Sequence, residues 1–336
     1  MQFGRIREDY LSKGNTDCLK GICAVFVLIC HFRMYIPEIN NFAVTKILIG
    51  SLAVAIFFFL SGYGLMYSYE NKGQDYIKAF PVRRILPFYC TNIILIILYA
   101  VFFLAIGKPV DSKSFIMSFL FGKTIIIHGW YVQAILVLYI LYFIVFSIKT
   151  KNNFKIIIYI LALVLYSKIC LSLNLGLIWI QSVFAMPLGM IWYRYKNKID
   201  SFIAKGINYY IVFILSTVVV VICLLLEFAI KQPYIFILIN KIIYSAFFIV
   251  LTMLFTMKVN ICGRVTKQLG KIYYEIYVTQ GLILTLLRSD LIYINNSVLY
   301  AFVGIVLILA ASVLLHLVFD KINSVANNIY KLKTDK

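Results

Sequence analysis

Ten apolar runs, at about 20–36, 47–69, 86–106, 130–148, 155–173, 176–193, 208–230, 234–257, 273–289 and 298–319, divide this 336-residue chain, with short polar connections between them. Backbone in hydrocarbon must satisfy its own hydrogen bonds, so runs of this length read as membrane-crossing helices. Composition points the same way. Residues are 63% hydrophobic and only 13% charged, more apolar surface than a water-soluble domain needs. The expected fold is all-α: a polytopic membrane helix bundle of about ten transmembrane helices, one integral domain over residues 1–336 with no separate soluble module.

The net charge of +19 could suit nucleic acid or a membrane surface, and its distribution decides between them. The charges fall in short segments between apolar runs, as in cytoplasmic loops that obey the positive-inside rule. With both termini cytoplasmic, that side collects 23 of the 32 lysines and arginines, including those bordering the runs. Residues 114–127 are apolar but short, and are read as a re-entrant or interfacial piece. Were they a span, KTKNNFK and RYKNK would move outside, against the charge rule. No basic tail or RNA-binding signature is present, so no nucleic-acid partner is expected. The first run has no small-residue cleavage site and reads as a signal anchor. The seven cysteines show no metal-like spacing and read as small buried hydrophobes rather than a disulfide framework or zinc site; no metal is expected.

Chemistry concentrates in DCLKGICAVFVLICH, residues 17–31. On a helix, eleven residues make about three turns, which puts Lys20 and His31 on one face roughly 16 Å apart. With Lys20 at one membrane surface, His31 lies near the middle of the core, where an ionisable side chain is costly and faces a bundle interior or wet cavity. Ser61, Gly62 and Gly64 in FFFLSGYGLMYSY allow close helix approach. Arg83 and Arg84 in FPVRRILPFY, with Pro87 in the first helical turn, either stop the chain at the cytoplasmic face or bind a phosphate-bearing substrate there. In HGWYVQ, Trp130 suits an aromatic belt and His128 a solvated loop. Glu275 sits about one turn inside a helix start, where it compensates the helix dipole, and His316 lies near the inner end of the last run, where it titrates at the interface. Lys168, Glu227 and Lys241 are close enough to run ends to snorkel and receive no role.

Taken in order, DCLKGICAVFVLICH, FFFLSGYGLMYSY, RRILPFY, GWYVQAILVLY, FAMPLG and LGKIYYEIYV resemble the acyltransferase-3 family of integral-membrane acyltransferases, and the likeness extends from residue 17 to about 278. The family pattern places an arginine, ten residues and a histidine in the first span; here the pair is Lys20 and His31. Lysine keeps the charge but loses the bidentate fork. Arg84 matches the family's Arg-x-x-Pro spacing, while Pro81 stands where a second arginine would precede it. Tyr273, Tyr274 and Gln280 replace the family's Ser-Tyr and later histidine.

The resemblance implies a membrane O-acyltransferase of the bacterial inner or plasma membrane. It would move an acyl group, acetyl by default, from cytoplasmic acyl-CoA to a hydroxyl of a cell-surface carbohydrate or its lipid-linked precursor. Acyl-CoA is then a donor substrate rather than a resident cofactor, and membrane lipids surround the chain. On this reading His31 is the base, Ser61 offers a hydroxyl to the carbonyl oxygen, Lys20, Arg83 and Arg84 meet the CoA phosphates, and Asp17, Trp130 and Glu275 orient or support them. A transporter or flippase of a glycan or lipid-linked intermediate would also use a mid-membrane ionisable residue, but the two halves lack a matching pair of Gly/Pro-broken spans. A polysaccharide polymerase or ligase would need a larger charged outer loop than residues 107–129 provide.

Overall fold

Among the described residues of this computed structural model (6–38, 49–229 and 233–334), the regular elements are all helical, apart from one isolated bridge between Arg288 and Tyr293. The start of the second expected span at 47–48, and Arg5, Lys46, Lys231 and Lys336 of the charge count, lie outside those residues. Seven helical segments are long and apolar enough to cross a membrane. The first, α1 (Lys13–Phe32), begins at Ser12, whose hydroxyl accepts from the Asn15 amide.

The second segment, Gly50–Ala105, is 56 residues long, far more than one crossing requires. It folds back on itself. Helix α2 (Ile49–Phe80) contains Gly73 at φ 59° and ψ −142°, a conformation outside the helical region that glycine adopts without penalty. A π-helical turn, Pro81–Ile85, then leads into α3 (Leu86–Ala105), which carries a proline in its first turn. Contacts along α5 (Trp130–Ser147) reveal the reversal. Phe58 meets Tyr131, the Leu65 carbonyl accepts from Tyr142, and Tyr69 meets Phe146, so α2 ascends with α5. Beyond Gly73 the order inverts: Phe80 meets Tyr142 and Phe88 meets Tyr139. The expected spans 47–69 and 86–106 therefore form two antiparallel limbs.

Between α3 and α5 lies only one short helix, α4 (Ser112–Met117), in a folded loop. Next come α6 (Asn152–Ser172), a 3₁₀ turn at Leu177–Trp179 and α7 (Ala185–Ile203). The sixth expected span, 176–193, is thus displaced. Its helix starts at Ala185, with Pro187 in the first turn where a missing N–H costs little. It continues through polar YRYKNKID, supported by the Lys196–Asp200 pair and by Arg194 reaching Glu70 at 2.6 Å. Then follow α8 (Ile207–Ala229), α9 (Tyr234–Lys258), α10 (Arg264–Lys271), α11 (Tyr273–Leu286) and α12 (Ser297–Thr334). The ninth expected span is the 14-residue α11, about 21 Å of helix and shorter than a hydrocarbon core.

Two sequence expectations need correction here. Cys18 and Cys262 form a disulfide, joining α1 to the segment before α10 across 244 residues, a separation at which spacing says nothing about pairing. Lys241 and Glu227, assigned no role, pair at 2.6 Å between α9 and α8, where each charge offsets the other's desolvation. The N-terminal segment docks on α7: the Tyr10 hydroxyl donates to Asp200 at 2.8 Å and accepts from the Trp192 indole at 2.9 Å. Burial holds that phenol above the usual tyrosine range.

The tightest helix crossing is α2 on α7. A Cβ on Gly62 would lie 1.9 Å from the Met186 carbonyl oxygen, and one on Gly189 2.0 Å from that of Phe59. Gly64, expected to share this role, faces no atom within 4 Å. Gly189→Ala should therefore destabilise the protein by about 2 kcal/mol or more through overpacking. Gly64→Ala should be neutral or stabilising by up to about 1 kcal/mol. Thermal unfolding in detergent reads both. Alkylation of the denatured protein should modify Cys23, Cys30, Cys90, Cys170 and Cys223 without reductant, and Cys18 and Cys262 only after reduction.

Candidate active site

His31 lies one residue before the end of α1, and its ring stacks on that of His128 with centroids 3.8 Å apart and planes 14° from parallel. His128 was expected to be solvated; instead, the 107–129 loop folds inward and delivers it to the bundle. Its φ of 62° is left-handed, a strained region for a residue with a side chain. The backbone is held there because the Tyr277 hydroxyl donates to the His128 carbonyl. Nδ1 of His31 and Nε2 of His128 are shielded from solvent and have no hydrogen-bond partner among the described residues. Both are thus available to a substrate group.

Gln133, one turn into α5 and 4% exposed, organises this loop. Its amide nitrogen donates to the carbonyls of Leu120 (2.8 Å), Lys123 (2.7 Å) and Ser118 (3.2 Å), and its oxygen accepts from the Gly122 amide (3.0 Å). Ser118 adds a second tie, its hydroxyl accepting from the Ile125 amide at 2.9 Å. One side chain therefore satisfies four backbone groups of an irregular segment and fixes the approach of His128.

On α11, the polar residues Glu275, Gln280 and Thr285, which interrupt the ninth apolar run, each find a partner. Gln280 is fully buried, donates to the Tyr277 carbonyl at 3.0 Å and reaches the His31 ring. Thr285 hydrogen-bonds the Tyr35 hydroxyl at 2.9 Å. Glu275, in the first turn, lies 2.8 Å from Nδ1 of His316 on α12, so His316 is the partner of a buried carboxylate rather than a free interfacial group. Nε2 of His316 lies 3.6 Å from Asp320.

The charged residues gather at a different level. Lys20 Nζ lies 3.2 Å from Asp17 and sits 5.3 Å from the centre of the Tyr273 ring, near which Glu275, Asp17 and Arg84 also lie. Ser61 lies near Tyr139, as Arg84 does. Cys30 packs on Gly50, and eleven helical residues put Ser61 roughly 16 Å along α2 from that level. The structure thus brings Ser61 together with Lys20 and Arg84, not with His31. Arg83 donates to Asn327 at 2.8 Å and lies over the Tyr330 ring. The π turn opens both arginines, with Lys72, Asp75, Asn323 and Asn327, onto a polar cavity of about 580 Å³. Trp130 stands at the opposite end with Trp179, ring centres 6.3 Å apart.

Gln133 and Tyr277 received no role from the sequence, His128 was read only as a solvated loop residue, and Gln280 only as the replacement for a family histidine. The HGWYVQ motif, with a histidine and a glutamine flanking Trp130, was the available signal for Gln133 and His128. Among the described residues, no group of three or more His, Cys, Asp or Glu could hold a metal ion.

A helix bundle with a buried histidine pair and a basic cavity fits an integral-membrane group-transfer protein. The Acyl_transf_3 family model, described as an acyltransferase domain, matches residues 14–317, and the chain belongs to that family. No curated protein and no solved structure matches it.

Replacing Gln133 with leucine would leave buried carbonyls without donors, at about 1–3 kcal/mol each. Amide exchange across 118–128 should then accelerate by at least about tenfold, with the helices of α2 and α7 unchanged. Equal protection in both proteins would show that the loop is held by other contacts.

Proposed function

We propose that the chain is a membrane O-acyltransferase of the bacterial inner or plasma membrane, acting as one unit over its length. It would carry an acyl group, acetyl by family analogy, from cytoplasmic acyl-CoA to a hydroxyl of a cell-surface carbohydrate or its lipid-linked precursor. The observation that carries this reading is the His31–His128 stack, two imidazoles with unsatisfied buried nitrogens inside a membrane bundle. Lys20, Arg83 and Arg84 lie toward the basic end, which the positive-inside rule assigns to the cytoplasm. There, the 580 Å³ cavity beside the arginines is suited to the phosphates and nucleotide of CoA.

In the proposed reaction, His31 takes the proton from the acceptor hydroxyl as its oxygen attacks the thioester carbonyl. A C–O bond forms, the C–S bond breaks, and the proton passes to the departing CoA sulfur. His128 holds the His31 ring by stacking. The Gln280 oxygen, buried and without another partner, accepts from the His31 ring and orients it. Asp17 steadies Lys20, and Glu275 with His316 fixes the start of α11.

The protein in nanodiscs, given radiolabelled acetyl-CoA and a crude envelope-glycan pool, should transfer label to glycan. His31→Ala should lower the rate by about 10²–10⁴-fold, the usual contribution of a general base, with CoA binding retained. Arg84→Gln should instead raise the acyl-CoA concentration for half-saturation by about tenfold, the loss of one charged hydrogen bond. Full activity in His31→Ala would overturn the assignment of the base.

A further inference from the structure

A second cavity, of about 510 Å³, opens at the other end of the bundle from the arginines; His128 and Trp179 are on its wall, so it belongs with the histidine pair. The Ser182 hydroxyl, three residues from Trp179, donates to the Ser51 carbonyl, whereas Ser68 and Lys72 line the arginine cavity. A separate groove of about 460 Å³ runs between α3 and α12, where Leu86, Pro87 and Ile94 face Val318, Ile322 and Val325. Among the described residues that line it, Lys321 alone is charged. Helix α12 is 38 residues, about 57 Å long, close to twice the thickness of a hydrocarbon core. Its apolar run ends at 319, and polar residues predominate from Asp320 onward. Ile322, Val325, Ala326 and Ile329 nevertheless continue an apolar stripe at i, i+3, i+4 and i+7. The helix therefore leaves the hydrocarbon as an amphipathic segment, at the end of the bundle where Arg83 bonds Asn327. Along the groove Leu86, Val318, Val325 and Ile329 stay between 41% and 51% exposed.

We infer that this groove binds one anionic glycerophospholipid of the leaflet on the basic side, with an acyl chain between α3 and α12 and its phosphate at Lys321. The inference stands independently of the acyltransferase reading. From Ile94 to Leu86 the α3 wall descends eight residues, about 12 Å, from inside the hydrocarbon to the start of the helix. That is the path of the upper part of a lipid chain, and it continues along the apolar stripe of α12 at headgroup level. Lys321 can lay its methylenes on this wall while its ammonium stays at the interface. Among the described residues it forms no ion pair, and the neighbouring Asp320 lies 3.6 Å from His316 instead. A lone cation beside an apolar slot on the basic face complements a lipid phosphate, and basic pockets between membrane helices on that side recruit anionic headgroups. The arginine cavity meets a different face of α12, through Asn323, Asn327 and Tyr330. A chain rising from a nucleotide held by Arg83 and Arg84 would have to cross the helix to enter the groove, whereas a lipid enters it from the bilayer.

Native mass spectrometry of the full chain released from detergent micelles reads the site directly. Dioleoyl phosphatidylglycerol and dioleoyl phosphatidylcholine are titrated as probes, identical in their chains and different in net charge. The protein should retain one phosphatidylglycerol in a saturable step, with a half-saturation about fivefold below that of phosphatidylcholine. Lys321→Ala should remove this preference and Lys321→Glu should reverse it, with thermal unfolding unchanged because the side chain is exposed. Val325→Trp, also at an exposed position, should fill the groove and weaken retention of both lipids. Glycerophosphoglycerol, the headgroup without chains, should not compete. Equal retention of the two lipids, or a preference insensitive to the Lys321 variants, would overturn the anionic site. Undiminished retention in folded Val325→Trp, or competition by the chain-free headgroup, would overturn the groove as the seat of the chain. Displacement of the lipid by palmitoyl-CoA but not by CoA would reassign the groove to the chain of a thioester, and a dimer that excludes lipid would assign it to a second copy.

Discussion

Non-helical backbone can enter a membrane bundle only if its N–H and C=O groups find partners there, and in this chain Gln133 meets most of that requirement. Three carbonyls and one amide of residues 118–123 close onto its side chain. Without such a hub, the 107–129 connection would stay at the surface, where it could satisfy its polar groups with water. Because the loop is pinned inside, His128 reaches His31, and Tyr277 can hold it in a conformation that an isolated peptide would abandon. The geometry of the histidine pair thus depends on an uncharged amide that does not itself touch either ring.

The same logic of partnered polar groups explains why α11 tolerates so many of them. Glu275 has His316, Thr279 hydrogen-bonds Ser312, Gln280 has the Tyr277 carbonyl, Thr285 has Tyr35, and the Tyr300 hydroxyl donates to the Leu284 carbonyl. These pairs fix α11 against α12 and α1 in register. A shift of one residue would break several of them together, so the helix that carries Gln280 and Tyr277 is held more narrowly than apolar packing alone would hold it. At one end of α11, Tyr273 gathers Lys20, Asp17 and Arg84; toward the middle, Gln280 meets His31. The helix therefore sets the spacing between the basic cluster and the histidine pair.

Much of the fold was legible because hydrophobic length is a local property. The runs at 86–106, 130–148, 155–173, 208–230 and 234–257 became helices close to their expected limits, the helix of the first run starts seven residues early at Lys13, and the apolar 114–127 piece forms no membrane-length helix. The sixth and ninth runs differed because hydropathy does not register where backbone hydrogen bonding starts and stops. Residues 176–184 spend apolar side chains on turns, and α11 starts at Tyr273 as expected but ends at Leu286. His31 was legible as a charge-bearing side chain in an apolar run, a conflict visible in one dimension. His128 was not, since a histidine in a polar loop carries no such conflict until the loop folds inward. The Cys18–Cys262 bond and the Glu275–His316 pair were hidden for a related reason, each joining elements whose adjacency depends on how the helices pack.

The two cavities bear on how such a site could work across a membrane. They lie toward opposite ends of α2, and between them Phe57, Phe58, Tyr131 and Tyr277 pack ring against ring, with Tyr277 bonded to the His128 carbonyl. A transporter must open a path wide enough for its whole cargo, which close aromatic packing opposes. A transferase needs to pass only the acyl carbon from one side of a base to the other. On the proposed reading, the one group that must meet both substrates is a side chain between the two ends. An aromatic wall that excludes water would then also limit hydrolysis of a thioester. The packed centre therefore favours the proposed group transfer at a fixed point over passage of a whole cargo.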